Sequence, residues 1–127
     1  MIFGIGTDIV TVARIEAAME RHGDAFAQRI LSLQEYAELS AQAHPARFLA
    51  KRFAAKEAFA KATGRGLHHP VSLHRISVSH DKLGKPIFLF DKELALYLSG
   101  LGVARHHLSL SDERDSAVAF VILEGND

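Results

Sequence analysis

Apolar and polar positions change rhythm several times along the chain, and each change marks an element. At the start, Ile2, Phe3, Ile5, Ile9, Val10 and Val12 enclose two glycines. That density reads as a short, mostly buried strand over 1–12, with Gly4 and Gly6 leaving room for a close neighbour. Thr11 is placed to cap a helix running through Arg14 to His22, with Ile15, Ala18 and Met19 as its apolar stripe and Gly23 as its stop. A shorter helix follows over 24–31. Ser32, with Glu35 three residues on, makes a capping box that starts another helix over 33–41.

The strongest helical signal spans 46–63. Pro45 sits where helices begin, Ala, Lys, Phe and Leu fill the interior, and Gly64 ends it. Over 71–80, Ile76 and Val78 alternate with polar residues. Leu83-Gly84-Lys85-Pro86 then makes a turn and 87–90 returns, giving a hairpin. Asp91 caps a helix to Leu101, closed by Gly102, and strands over 106–111 and 117–123 flank the polar turn 112–115. Strand, helices, hairpin, helix, hairpin is an α+β order, a mostly antiparallel sheet packed on a long central helix.

With 127 residues, 48% of them apolar, the chain is sized for one domain with one core, spanning 1–127. It has no cysteine, no apolar run near the roughly 18 residues a membrane helix needs, and no basic stretch leading into an apolar signal core. These features favour a cytosolic protein without disulfides. Fifteen basic residues cancel fifteen acidic ones, so net charge gives no reason to expect nucleic acid or a membrane as partner. The distribution is more informative. Between His44 and Gly66 lie Arg47, Lys51, Arg52, Lys56, Lys61 and Arg65 against Glu57 alone, a segment suited to an anion. From Ser109 onward Asp112, Glu113, Asp115, Glu124 and Asp127 face only Arg114, which reads as solvated surface.

Few positions carry candidate chemistry. Asp8, read as ending the first strand, can reach out of the core as a catalytic carboxylate or cap the helix that follows. Glu57 and Lys61, four apart, share a helix face, either as an ordinary surface pair or as part of a site. Arg52 and Lys56 share azimuths with Phe48, Leu49 and Phe59, so they mark an interface or site, or lay aliphatic stems across the core edge. The pairs His68/His69 and His106/His107 raise a transition metal. Adjacent strand residues face opposite ways, however, and no third ligand falls at a fitting spacing. No dinucleotide fingerprint, P-loop or nucleophile elbow is present.

Taken together, GIGTDIV (4–10), RFLAKRFAAKEAFAKATGRG (47–66), LGKP (83–86) and HLSLSDERDSAVAFVILE (107–124) resemble the holo-acyl-carrier-protein synthases, short members of the 4′-phosphopantetheinyl transferase superfamily. The likeness covers essentially the whole chain in order. It implies that family's fold and an enzyme that moves 4′-phosphopantetheine from coenzyme A to a serine of acyl carrier protein, releasing 3′,5′-ADP, in fatty acid biosynthesis. Asp8 and Glu57 would then be Mg²⁺ ligands beside the pyrophosphate, and Lys61 the third catalytic residue. Two carboxylates plus substrate phosphates suit that ion. The serine proton would pass to a water held by the ion or to Glu57.

By the same resemblance, Arg52, Lys61, Gly84, Lys85, Pro86 and Ser109 would contact coenzyme A, with the surrounding basic run on its 3′-phosphate. Arg14, Met19 and Arg21 would dock the acidic carrier protein, and the enzyme would be a homotrimer with coenzyme A in clefts between subunits. Many relatives carry histidine after the S-x-S of the penultimate strand, where this chain has Asp112. Asp112 can instead cap the 112–115 turn. Two other readings stay open: a transferase for carrier domains of polyketide or peptide synthases, and a non-catalytic trimeric module that binds coenzyme A or an acidic protein.

Overall fold

Helix α4 (Pro45–Ala62) has almost no solvent side. Leu49, Ala50, Ala54, Ala55, Ala58 and Phe59 are completely enclosed, and even Arg52 and Lys56 are buried, so other elements cover the helix on most sides. The structure, a computed structural model, describes residues 1–126; Asp127, counted above in the acidic tail, lies outside the described residues. Around α4 run, in chain order, β1 (Ile2–Thr11), α1 (Val12–His22), α2 (Asp24–Ile30) and α3 (Leu33–Leu39), then β2 (Ile76–His80), β3 (Pro86–Phe90), α5 (Lys92–Leu101), β4 (Val103–Asp112) and β5 (Ser116–Gly125). The α+β layout is as expected. The strands form two antiparallel sheets, β1-β5-β4 and β2-β3. No described helix is long and apolar enough to cross a membrane.

The three-stranded sheet lies directly on α4. A Cβ on Gly4 would stand 2.0 Å from the Ala62 carbonyl oxygen, and one on Gly6 would stand 1.9 Å from that of Ala58. Only glycine lets the two backbones approach this closely. Alternation then decides the faces of β1: Gly4, Gly6, Asp8 and Val10 turn toward α4, while Phe3, Ile5, Thr7 and Ile9 turn away. The strand is therefore not mostly buried, as its apolar density suggests. Ile5 and Ile9 are 59% and 64% exposed, because the sheet has one packed layer behind it and none in front. Phe120, register partner of Thr7, extends this outer apolar face.

The second hairpin joins the first sheet through aromatic rings. Phe59 of α4 lies 5.3 Å from Phe88 and 5.0 Å from Phe90 on β3, and His106 of β4 lies 5.3 Å from Phe88. Expected caps are present on α3 and α5. Ser32 and Glu35 close a reciprocal box, and Asp91 accepts from the Leu94 N–H at 2.9 Å. Some boundaries differ: α3 stops at Leu39 rather than 41, and β4 starts at Val103 rather than 106. The strand expected over 71–80 begins at Ile76, because Leu73–Arg75 form a 3₁₀ turn whose Leu73 carbonyl accepts from the Lys56 ammonium.

Candidate active site

β1 and α4 bring three charged groups together. Asp8 is neither the end of β1 nor a helix cap: it pairs with Ala119, three residues before Thr11, and its side chain points toward α4. From α4, Lys61 reaches back to donate to Asp8 Oδ1 at 3.0 Å and to the Thr7 carbonyl at 2.9 Å. Glu57, one turn earlier, completes the group. Its burial, and then the charge of Asp8, raise its carboxyl above the usual glutamate range, with Lys61 opposing. Two carboxylates repel each other while the Lys61 ammonium is bound to Asp8, and Asp8 remains 18% exposed, so a cation can enter. Among the described residues no three His, Cys, Asp or Glu side chains gather to hold a metal. Two carboxylates without a His or Cys partner form a hard oxygen donor set that would suit Mg²⁺ better than zinc.

Arg52 is not part of this cluster. It lies on another face of α4, in the wall of a cleft of about 410 Å³ shared with Arg47, Phe48, Lys51, His80 and Asp112. Its guanidinium sits 4.4 Å above the Phe48 ring, and its Nε is 3.3 Å from Glu35. Asp112 does not cap the 112–115 turn. That turn is closed by Glu113 N–H to the Ser116 carbonyl, at 2.9 Å, while Asp112 faces Lys51 at 3.7 Å across the cleft.

The remaining expected residues are scattered. Gly84, Lys85 and Pro86 form the β2-β3 turn, held by Asp81 Oδ1, which accepts from the Leu83 and Lys85 N–H groups at 2.9 Å. Gly84 has φ 86°, which only glycine adopts without strain. Ser109 pairs with Phe120, so it faces outward on the sheet, away from α4 and from the Asp8 cluster of its own chain. On α1, Arg14 and Arg21 are exposed while Met19 packs against the core. His106 and His107 do face opposite ways, toward the Phe88 ring and toward Glu124 respectively.

The 4′-phosphopantetheinyl transferase superfamily model matches residues 4–121. A holo-[acyl-carrier-protein] synthase of Nitrosospira multiformis is 56% identical over 98% of this chain and 99% of its own length. The chain belongs to the holo-acyl-carrier-protein synthases. Among solved members of that family, the Neisseria meningitidis enzyme superposes with a TM-score of 0.96 at 49% identity, covering 98% of this chain and 99% of its own. The Bacillus anthracis synthase, described in complex with CoA (3′,5′-ADP), does so at 0.82 and 38% identity, over 99% of each chain.

One group in this synthase escaped the sequence. Lys56, read as marking an interface or site or else snorkelling, is wholly buried against Glu35, which had shown itself only as a cap. The available signal was a lysine on an apolar arc, which demands an internal acid.

Proposed function

We propose that this synthase moves 4′-phosphopantetheine from coenzyme A to a serine of acyl carrier protein, using Mg²⁺ at Asp8 and Glu57, as a cytosolic homotrimer. The meeting of Asp8, Glu57 and Lys61, drawn from elements fifty residues apart in a chain of this family, carries the reading. When bound, the cation would neutralise charge on the pyrophosphate and hold it against the cluster. Lys61, 53% exposed and held against Asp8, is placed to meet a phosphate oxygen as negative charge grows there. The serine oxygen forms a bond to the pantetheine-side phosphorus. The bond from that phosphorus to the bridging oxygen breaks, and 3′,5′-ADP leaves with the electron pair. The serine proton passes to water or to a carboxylate of the cluster.

Arg52 with Arg47 and Lys51 would take the anionic end of coenzyme A, the 3′-phosphate included, and the turn at Gly84, Lys85 and Pro86 would lie beside the nucleotide. Arg14, Met19 and Arg21 would receive the carrier. The trimer is supported by the exposed Phe3, Ile5, Ile9 and Phe120, an apolar face uncommon on a monomer. It would also let the basic cleft of one chain meet the acid cluster of the next and bring Ser109 to a neighbour's cleft.

The test is intact-mass measurement of an apo acyl carrier protein incubated with the enzyme, coenzyme A and Mg²⁺, with and without chelator. One added phosphopantetheine, lost with chelator, is expected. No gain on this carrier but gain on carrier domains of polyketide or peptide synthases would overturn the substrate. No gain on either would overturn the reaction.

A further inference from the structure

Glu35 lies completely buried where α3, α4 and β2 meet, and both of its oxygens are in use. Oε1 accepts from the Ser32 N–H at 3.0 Å and the Lys56 ammonium at 2.5 Å; Oε2 accepts from the Val78 N–H at 2.8 Å and stands 3.3 Å from Arg52 Nε. A capping box needs only the first of these. Lys56 is anchored further by the Ile30 and Leu73 carbonyls, at 2.8 and 3.0 Å, so its position is fixed from three directions.

Two buried cations thus share one buried carboxylate. The next acid, Glu38, is half exposed and lies 3.7 Å from Arg52. Burial lowers the proton affinity of both cations, with Glu35 opposing the shift in each. Arg52 Nε makes no hydrogen bond, while the guanidinium plane is clamped on Phe48 and lines the basic cleft. An arginine held this way presents a fixed fork to an anion and loses little freedom on binding it.

We infer that Glu35 is a positioning residue for coenzyme A: it holds the Arg52 guanidinium at the cleft wall so that a phosphate of the substrate completes the charge balance of the Glu35–Lys56–Arg52 group. The inference rests on Arg52 being a phosphate contact, as proposed above. Glu35 never touches substrate; it acts through Arg52.

Steady-state kinetics of Glu35→Gln, Arg52→Met and the double variant test it, with coenzyme A and carrier protein varied in turn. Arg52→Met is expected to raise KM for coenzyme A about tenfold, Glu35→Gln several-fold to about tenfold, and the double variant no more than Arg52→Met alone. KM for the carrier and kcat stay within about twofold of the parent. Unchanged KM in Arg52→Met sinks the phosphate contact and the inference with it. Raised KM in Arg52→Met but not in Glu35→Gln, or two effects that multiply, leaves the contact standing and overturns the positioning role. So does a fall in kcat alone, the sign of a merely structural loss. Should Glu35→Gln fail to fold because Lys56 is left without its partner, Glu35→Gln/Lys56→Gln is compared with Lys56→Gln on the same scale.

Discussion

Asp8 and Glu57 stand close enough for the charge of Asp8 to raise the proton affinity of Glu57, which the Lys61 ammonium on Asp8 opposes. Such a pair costs stability in an unliganded chain and is relieved by a divalent cation. Asp8→Asn should therefore abolish transfer, by about a hundredfold or more, while shifting stability by no more than about 1 kcal/mol, because the group is partly exposed. Turnover against Mg²⁺ concentration, beside a thermal melt, checks this. Full activity at limiting Mg²⁺ removes the ligand assignment. A second residue predicts pH dependence. His106 Nε2 accepts from the Phe88 N–H at 3.0 Å, and burial, with smaller contributions from His107 and Lys85, lowers its proton affinity. The unfolded chain takes that proton more readily, so the contribution of His106 is complete above about pH 6.5 and is lost as pH falls below it. Melts at about pH 8 and about pH 5.5 should show a smaller drop for His106→Gln, which keeps an acceptor without titrating; equal drops would refute it. Residue type and helical spacing put Glu57 and Lys61 on one face but left Asp8, Glu57 and Lys61 open between site and ordinary surface; only the family resemblance singled them out together. Glu35 was not legible, since its partner Lys56 lies twenty-one residues away on another element.

Between elements, the contact of β1 with α4 sets the geometry of the site. Each turn of α4 that faces the sheet offers alanine, and β1 answers with glycine, so Asp8 arrives at the height of the Glu57–Lys61 turn. Gly6→Ala would place a methyl 1.9 Å from a backbone oxygen that cannot swing away. It should cost roughly 1–3 kcal/mol or more and carry activity down with it. Gly100→Ala, in α5 with nothing within 4 Å, should instead stabilise by about 0.5–1 kcal/mol. Urea unfolding of the two distinguishes a packing contact from a general intolerance to substitution. Helices and turns were readable here because capping and glycine chemistry are local. The one-sidedness of β1 was not, because a strand buried on both faces and a strand awaiting a partner look alike in apolar density.

At the scale of the molecule, the outer face of the β1-β5-β4 sheet is the largest departure from what one chain needs. Ile9→Lys falls on this face at a position 64% exposed in the single chain, so it should change chain stability by about 0.5 kcal/mol or less. It should nonetheless convert a trimer of the 13.9 kDa chain into monomer and remove activity, as read by light scattering and turnover. A variant that stays trimeric places the contact elsewhere. The sequence offered this only through resemblance, since neither composition nor periodicity says which apolar residues stay in water.

The order of the sheet also has a consequence in time. β5, the central strand, is synthesised after both of its neighbours, and β1 waits for a partner more than a hundred residues downstream. Until Gly125 has been made, β1 and β4 have no strand between them and α4 has no completed floor. Non-local pairing of this kind slows folding and leaves edges exposed meanwhile. Loss of β5 would therefore remove the middle of the sheet rather than trim its edge. Quality control in the cell would treat a chain that stops before Ser116 as unfolded, not as a slightly weakened enzyme.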